Sequence, residues 1–509
     1  MSETLFSWVL VGAYALMVVF IAWRSSRRTK SVETYSVGTR QVSPIAVGLS
    51  LAASLTSAAT FVINPGLIYL YGWSGVLGYA VAAPLGIFIG LVVFSKSFRK
   101  VGDKTNVLTV PQWVGDRFGD RRLTVYFAFL SLLQITFLIL IVVGLTLVLE
   151  RALEIPVWVS LGMVVGFTFT YILLGGASTH ILTNSMQAGI MIVVAFIFLG
   201  SGFEFVRDGI GAFFERLAAV GPHYESVTNP DSLLFRNLFE VLVANFVVGV
   251  AIILQPHVIS KALYLRTEAD VNRYLVTAAI VATLFFAVLI TGLFARLALE
   301  GPVLPPDVVM ATYMVEAFGP FLRAVVVLGL LAAGFSTMEG ILVALSSIFA
   351  NDFMRNLLPS ARRTGDAWRP TALRWARAFL IVLAPVTIWL SWDQIHNPSL
   401  SVAIFAQNGV YGLFAATFVP ILVGIFFEGA DRRWVFAASV TALVVHFGMY
   451  YGEITMYHNN PAVPATAAIS ASLLVMGVGS LATGRRVRLA TEAPAVGPAG
   501  EGPAEGRKP

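Results

Sequence analysis

Between Ser43 and Ser95 the chain carries no acidic, basic or histidine side chain. One membrane crossing needs about 20 apolar residues, so this run holds two. Its first half is unusual for a spanning helix. Ala52, Ala53, Ser54, Thr56, Ser57, Ala58, Ala59 and Thr60 stand where Leu, Ile and Val are ordinary, and Asn64, Pro65 and Gly66 follow. Small residues let helix backbones approach closely. Open backbone survives at membrane depth only where protein covers it or where it lines a cavity. A short, interrupted apolar segment of this kind points to the ion and solute site of a secondary transporter. A tightly packed, Ser/Thr-rich helix with a proline kink fits the same residues.

The rest of the chain places this stretch in a multi-spanning helical membrane protein. It is 57% hydrophobic and 12% charged over 509 residues, with a mean hydropathy of +0.80, far from soluble globular values. Thirteen apolar segments are expected, at roughly 5–23, 43–70, 74–95, 123–149, 156–174, 186–203, 237–258, 275–295, 320–349, 375–392, 399–427, 434–450 and 466–483. The first is read as a retained helix, because no small-residue cleavage site follows it. With the N-terminus outside, 28 of the 34 Lys and Arg residues fall on the inside, Lys261, Arg266 and Arg273 among them. Only Arg151, Arg207, Arg216, Arg236, Arg296 and Arg323 remain outside. That asymmetry is the positive-inside signature and puts the C-terminus in the cytoplasm.

The outside loop 204–236 is expected to hold a short amphipathic helix, and the Pro, Gly, Ala and Glu-rich tail from Ala490 to be disordered. The absence of cysteine excludes disulfides and thiolate metal sites. No soluble segment is large enough for an enzyme. Neither a nucleotide-binding nor a nucleic-acid motif is present, and the six histidines show no metal-ligand spacing.

A second informative stretch runs from Gly329 to Asp352. Ala333, Ser336 and Thr337 are spaced i, i+3, i+4 and share one helix face. Two hydroxyls and a carbonyl there make half of a hard-cation site, although membrane hydroxyls also bond back to their own helix. Glu339 lies 19 residues past Pro320 in an apolar run. A central charge costs about 2.5–3.5 kcal/mol on insertion scales, and such residues mark ion or proton paths. Tyr79, Gln134, Asn245, Gln407 and Asn408 are the other polar groups at membrane depth, where amides also serve as interhelical glue. Gly86 with Gly90, and Gly162 with Gly166, read as helix-packing pairs. No Lys or Arg is expected at membrane depth near the pocket.

These residues resemble the sodium:solute symporter family, which includes sodium/proline, sodium/pantothenate, sodium/glucose and sodium/sialic acid cotransporters. The resemblance runs from about Leu5 to Arg488. Its marks are Tyr35-Ser-Val-Gly-Thr-Arg40, the Ala53–Gly66 stretch, Leu108-Thr-Val-Pro111, Arg117-Phe-Gly119, Gly175-Gly176, Thr183-Asn-Ser-Met-Gln187, Gln255-Pro-His257, Ala333-Gly-Phe-Ser-Thr337, Ser346-Ser347 and Asp352.

The resemblance implies an all-α, leucine-transporter-like fold of thirteen helices with two inverted five-helix repeats. Residues 1–42 would form an extra N-terminal helix and loop, 43–203 the first repeat, 204–236 the outside loop, and 237–427 the second repeat. Residues 428–488 would add two further helices and 489–509 the tail. It implies a sodium ion held by Ala53, Thr56 and Ala333 carbonyls with Ser336 and Thr337 hydroxyls, and a solute beside it at Ser57, Thr60, Tyr79 and Gln407, with Gln134 and Asn245 as further candidates. Leu55 replaces the aspartate of the proline type, and Tyr79 an acidic residue of the sugar type. Asn184 stands where members with a second sodium site carry a carboxylate, and Glu339 with Gly340 where they carry small hydroxyl residues. Glu339 with Asn184 is therefore a candidate second cation or proton site. The expected function is sodium-coupled import of a small neutral, zwitterionic or monocarboxylate solute, such as an amino acid, monocarboxylate, sugar or vitamin. The expected carrier works as a monomer in the cell (inner) membrane lipid bilayer. A proton-coupled or passive solute carrier or channel of the same fold is the alternative.

Overall fold

The structure is a computed structural model that describes residues 3–26, 43–105, 107–265, 267–358, 368–398, 400–483 and 488–489. The expected mark at Tyr35–Arg40 and the expected disordered tail lie outside the described residues. Backbone polar groups in a bilayer must be satisfied within their own segment or by covering protein, and the chain meets that demand with helices. They are α1 (Glu3–Ser26), α2 (Pro44–Leu55), α3 (Ala59–Tyr71), α4 (Trp73–Lys100), α5 (Arg121–Leu153) and α6 (Val157–Ser201). There follow α7 (Phe239–Ile252), α8 (Pro256–Tyr264), α9 (Glu268–Ala298), α10 (Pro320–Leu357), α11 (Pro370–His396), α12 (Val402–Phe426), α13 (Arg432–Tyr451) and α14 (Ala462–Ala482). Asp120, Thr267 and Asp431 cap α5, α9 and α13 through their side chains.

Among the described residues, ten helices are long and apolar enough to cross a membrane, and twelve spans result if each bent pair counts as one. The expected fifth segment is a shorter apolar stretch, Val157–Leu173. It is joined helically to the sixth, because α6 runs 45 residues. At about 1.5 Å per residue that is some 68 Å, longer than one ~30 Å hydrocarbon core requires. The connection expected at 175–185 is therefore helical. His180, Thr183 and Asn184 lower the local hydropathy there, yet all are buried and bonded to neighbouring helices.

The two bent pairs are α2 with α3, at 48°, and α7 with α8, at 57°. The first break falls at 56–58, while Asn64–Gly66, expected beside the interruption, open a regular helix with Pro65 in its first turn. The second pair continues to Tyr264, past the expected end at 258. The segment 204–236, expected outside, carries an amphipathic helix at Ile210–Val220, burying Phe213 and Leu217.

Glycine decides where the helices touch. A Cβ on Gly86 would lie 2.2 Å from the Phe246 carbonyl oxygen and one on Gly90 2.7 Å from that of Val250, so this pair packs α4 on α7. Gly162 and Gly166 have nothing within 4 Å of an added Cβ, so the second expected packing pair makes no close approach. Two other close backbone approaches belong to no such glycine pair. A Cβ on Gly66 of α3 would meet the Pro306 carbonyl oxygen at 1.9 Å, and one on Gly292 of α9 would meet that of Pro65 at 2.1 Å. Overpacking of this kind costs about 1–3 kcal/mol or more. Gly66→Ala should therefore lower the melting temperature of purified protein, and Gly162→Ala should leave it unchanged or raised. Equal behaviour of the two in a thermal unfolding assay would contradict this packing.

Candidate functional site

The first break exposes backbone oxygens. The Thr56 N–H donates to the Ala52 carbonyl at 3.2 Å, and the Thr56 hydroxyl turns back to the same oxygen at 2.6 Å. The chain resumes helically at Ala59, whose N–H is taken by the Ser57 hydroxyl at 3.1 Å. The carbonyls of Ala53 and Ser54 find donors on α10 instead. Ser336 Oγ donates to Ala53 at 3.0 Å and lies 2.8 Å from the Ala333 carbonyl. Thr337 Oγ1 lies 3.4 Å from the Ala53 oxygen and 3.2 Å from that of Ser54.

Of the five expected sodium ligands, four thus meet: Ala53, Ala333, Ser336 and Thr337, all wholly buried. Thr56 is the C-cap residue of α2, so its carbonyl belongs to the open end of that helix. The oxygens are hard and neutral. A hydroxyl can present lone pairs as readily as a proton, so turning the two hydroxyls would direct the same atoms at a cation of the sodium kind.

Beside this cluster lies a polar network between α6, α10 and α1. Glu339 Oε1 accepts from the Tyr171 hydroxyl and from Gln187 Nε2 at 3.0 Å, and Oε2 accepts from Thr183 Oγ1 at 2.6 Å. Gln187 Nε2 also reaches the Tyr14 hydroxyl at 2.7 Å. Asn184 Nδ2 donates to the Ser336 carbonyl at 2.9 Å and to Ser54 Oγ at 3.1 Å. Asn184 is thereby joined to the cluster but faces it with N–H rather than oxygen. The carbonyl can only accept, which fixes that orientation.

One expectation is overturned. Lys261, counted among the inside loop residues, is wholly buried on α8. Its ammonium donates to the Ser50 carbonyl at 3.1 Å and hydroxyl at 2.7 Å on α2. It also lies 3.0 Å from His180 Nε2 on α6. A basic residue is therefore buried among the helices beside the site. Charge-based topology reading treats every Lys as a loop marker, and the partners here are distant in sequence.

A cavity of about 80 Å³ opens next to the break. Ser57, Thr60, Tyr79, Asn245 and Gln407 line it, as do Phe137, Phe286 and Phe414, and no lining side chain is charged. Gln407 Nε2 donates to the Tyr79 hydroxyl at 3.0 Å, and Asn245 Nδ2 is held by the Glu240 carbonyl at 2.8 Å. Gln134 does not line this cavity. It pairs with His257 Nδ1 at 3.0 Å, so its amide is interhelical glue in this structure. Asn64 and Gln255 were not expected but line the cavity. Gln255 could have been found from the Gln-Pro pair that starts α8.

Other marks of the resemblance have plain structural work. Thr109 caps the helix Val110–Phe118 and donates to Asp352 Oδ2 at 2.5 Å. Arg117 donates to the carbonyls of Gly424 at 2.6 Å and Phe427 at 2.8 Å. Gly119 ends its helix at φ 61°, a left-handed position that suits glycine.

Known proteins share this architecture. The sodium/pantothenate symporter of Escherichia coli K12 is 24% identical over 482 residues, covering 92% of this chain and 95% of that protein. The sodium/proline symporter of Salmonella typhimurium is 26% identical over 469 residues, covering 88% of each. A Na⁺-coupled sialic acid symporter, solved substrate-bound and outward-open, superposes with a TM-score of 0.77 at 17% identity, covering 95% of this chain and 98% of its own. A closed nucleobase-cation-symport-1 family transporter gives 0.53 at 13% identity, covering 90% and 96%. At these identities the solved structures speak for the fold, which is of the leucine-transporter kind. The curated relatives are transporters, not enzymes. Residues 35–441, most of the helical body, match one family throughout, and the chain belongs to the sodium:solute symporter family.

Proposed function

We propose that the protein is a sodium-coupled symporter that imports a small organic solute by alternating access. The observation that carries this is the meeting of the Ala53 carbonyl with Ser336 and Thr337 across some 280 residues of chain, next to an uncharged cavity. Sodium at these oxygens braces α2 against α10. The cavity lies against the same break, so each ligand raises the other's affinity by one factor. One charge moving through 100 mV supplies about 2.3 kcal/mol, equivalent to roughly a fifty-fold solute gradient. The solute sits among Ser57, Thr60, Tyr79, Asn245 and Gln407. A lining without charge suits a neutral or zwitterionic solute or a small monocarboxylate, whose group would rely on hydroxyls and amides.

The two bent pairs support two repeats, 43–203 and 237–427, with 1–42, 428–488 and 489–509 as additions and 204–236 between them. We place thirteen crossings in the cell membrane, N-terminus outside and C-terminus inside, in a carrier that works as a monomer. The proposal of import follows from sodium entering down its gradient.

Three measurements test this reading. In proteoliposomes, solute uptake should need sodium. Ser336→Ala or Thr337→Ala should each raise the sodium concentration for half-maximal uptake by about tenfold, one neutral ligand being worth about 1.4 kcal/mol. Sodium-independent uptake by the wild type would sink the proposal. Tyr79→Phe and Gln407→Ala should raise the KM for solute while sodium dependence persists; an unchanged KM would move the solute elsewhere. The chain lacks cysteine, so single cysteines report topology directly. Glu453→Cys should react with an impermeant thiol reagent added outside, and Arg122→Cys only after permeabilisation.

A further inference from the structure

The buried charges outside the four-oxygen cluster have a common logic. Lys261 has three ammonium protons and three acceptors around it: the Ser50 carbonyl, the Ser50 hydroxyl and His180 Nε2, at 3.1, 2.7 and 3.0 Å. An ammonium can only donate, so Nε2 of His180 accepts. A neutral imidazole then carries its proton on Nδ1, a tautomer assigned by its partner. That nitrogen lies 3.5 Å from Glu339 Oε2. The other groups on the carboxylate are Tyr171, Gln187 and Thr183. Lys261, His180 and Glu339 are each at most 2% exposed.

A buried charge without a counter-charge is expensive, by several kcal/mol for each ion even after relaxation. One imidazole stands between the ammonium and the carboxylate; its Nδ1 makes no hydrogen bond to Oε2, so the two charges balance through space. Both carboxylate oxygens already hold protein donors. Asn184 offers N–H, not oxygen, to the Ser336 carbonyl.

We propose that the ammonium of Lys261, across His180, is a tethered cation that serves as counter-ion to Glu339, and that transport consequently uses a single sodium ion. The proposal rests on the symport reading for its stoichiometry, but not for the charge pairing. The sodium ion joins α2 to α10 and can leave. The ammonium joins α8 to α2 and α6 and cannot. The two bent pairs therefore stay linked through Ser50 and Lys261 when the sodium site empties. The amide oxygens of Asn184 and Gln187 have no protein partner, and a second sodium ion at those atoms is the competing outcome.

The test has two arms. The first is thermal unfolding in detergent without sodium or solute. Lys261→Met should lower the melting temperature by about 5 °C or more, as expected for a broken buried pair. The double variant Lys261→Met/Glu339→Gln should recover more than half of that loss. If the single variant cannot be purified, purification of the double is the rescue. Additive losses in the double overturn the pairing, whatever the protein transports. The second arm measures the wild type in proteoliposomes. The sodium dependence of uptake should have a Hill slope of about one, and the reversal potential should give one sodium per solute. A ratio of two, with the rescue intact, overturns the single-ion assignment alone. Uptake without sodium, with the rescue intact, overturns the symport reading and leaves the pairing standing.

Discussion

Backbone oxygens freed where α2 stops, met by two hydroxyls of α10, are the contact on which the rest of the molecule depends. An unpaired carbonyl in hydrocarbon costs several kcal/mol, so α2 could not be interrupted without a donor at hand. Ser336 and Thr337 supply it from opposite the break. Their approach requires small side chains on both sides, which is why Ala52, Ala53 and Ala333 stand there, all wholly buried. The same demand explains why α10 is buried along nearly all of its central length. The atoms that stabilise the break are therefore the ones proposed to bind the ion. The hydroxyls that hold the break together without a cation are those that would turn to receive one.

Ser336 links this contact to the network beside it. Its hydroxyl points to Ala53 while its carbonyl accepts from Asn184. Ser54 touches both Asn184 and the Ser336 carbonyl, the latter at 3.5 Å. α2 and α6 are therefore joined both directly, Ser54 to Asn184, and by way of Ser336. Such short chains of hydrogen bonds have few alternative arrangements and pass on discrete rearrangements rather than gradual strain.

Much of this was legible in the sequence. The uncharged run located the interrupted helix, and the spacing of Ala333, Ser336 and Thr337 located the helix face that meets it. Glu339 stood out because hydropathy makes an isolated acid conspicuous. What failed to show was partnership across the chain. Lys261 looked like a loop charge, because its partners Ser50 and His180 lie 211 and 81 residues away. Gln134 looked like a solute ligand until His257 was beside it. The fifth and sixth segments were separated at 174–186, where His180, Thr183 and Asn184 lower the hydropathy, yet the fold buries these residues in α6. Glycine pairs show the same limit. Gly162 and Gly166 have the packing spacing and no neighbour, while Gly66 and Gly292 have neighbours and not that spacing. Clearance is a property of the opposing backbone, which a local pattern does not contain.

The lack of clearance at Gly66 and Gly292 has a mechanical consequence. With Pro306 on one flank and α9 on the other, α3 cannot slide or buckle on its own. Any motion of α3 would then be a turn about the break made together with those neighbours. An arm of 13 residues is about 20 Å long. A 10° swing would then move its far tip by roughly 3–4 Å, while atoms at the pivot shift by fractions of an ångström. A small change of ionic coordination at the fulcrum would in this way be geared up into a displacement wide enough to admit or shut out water at the rim.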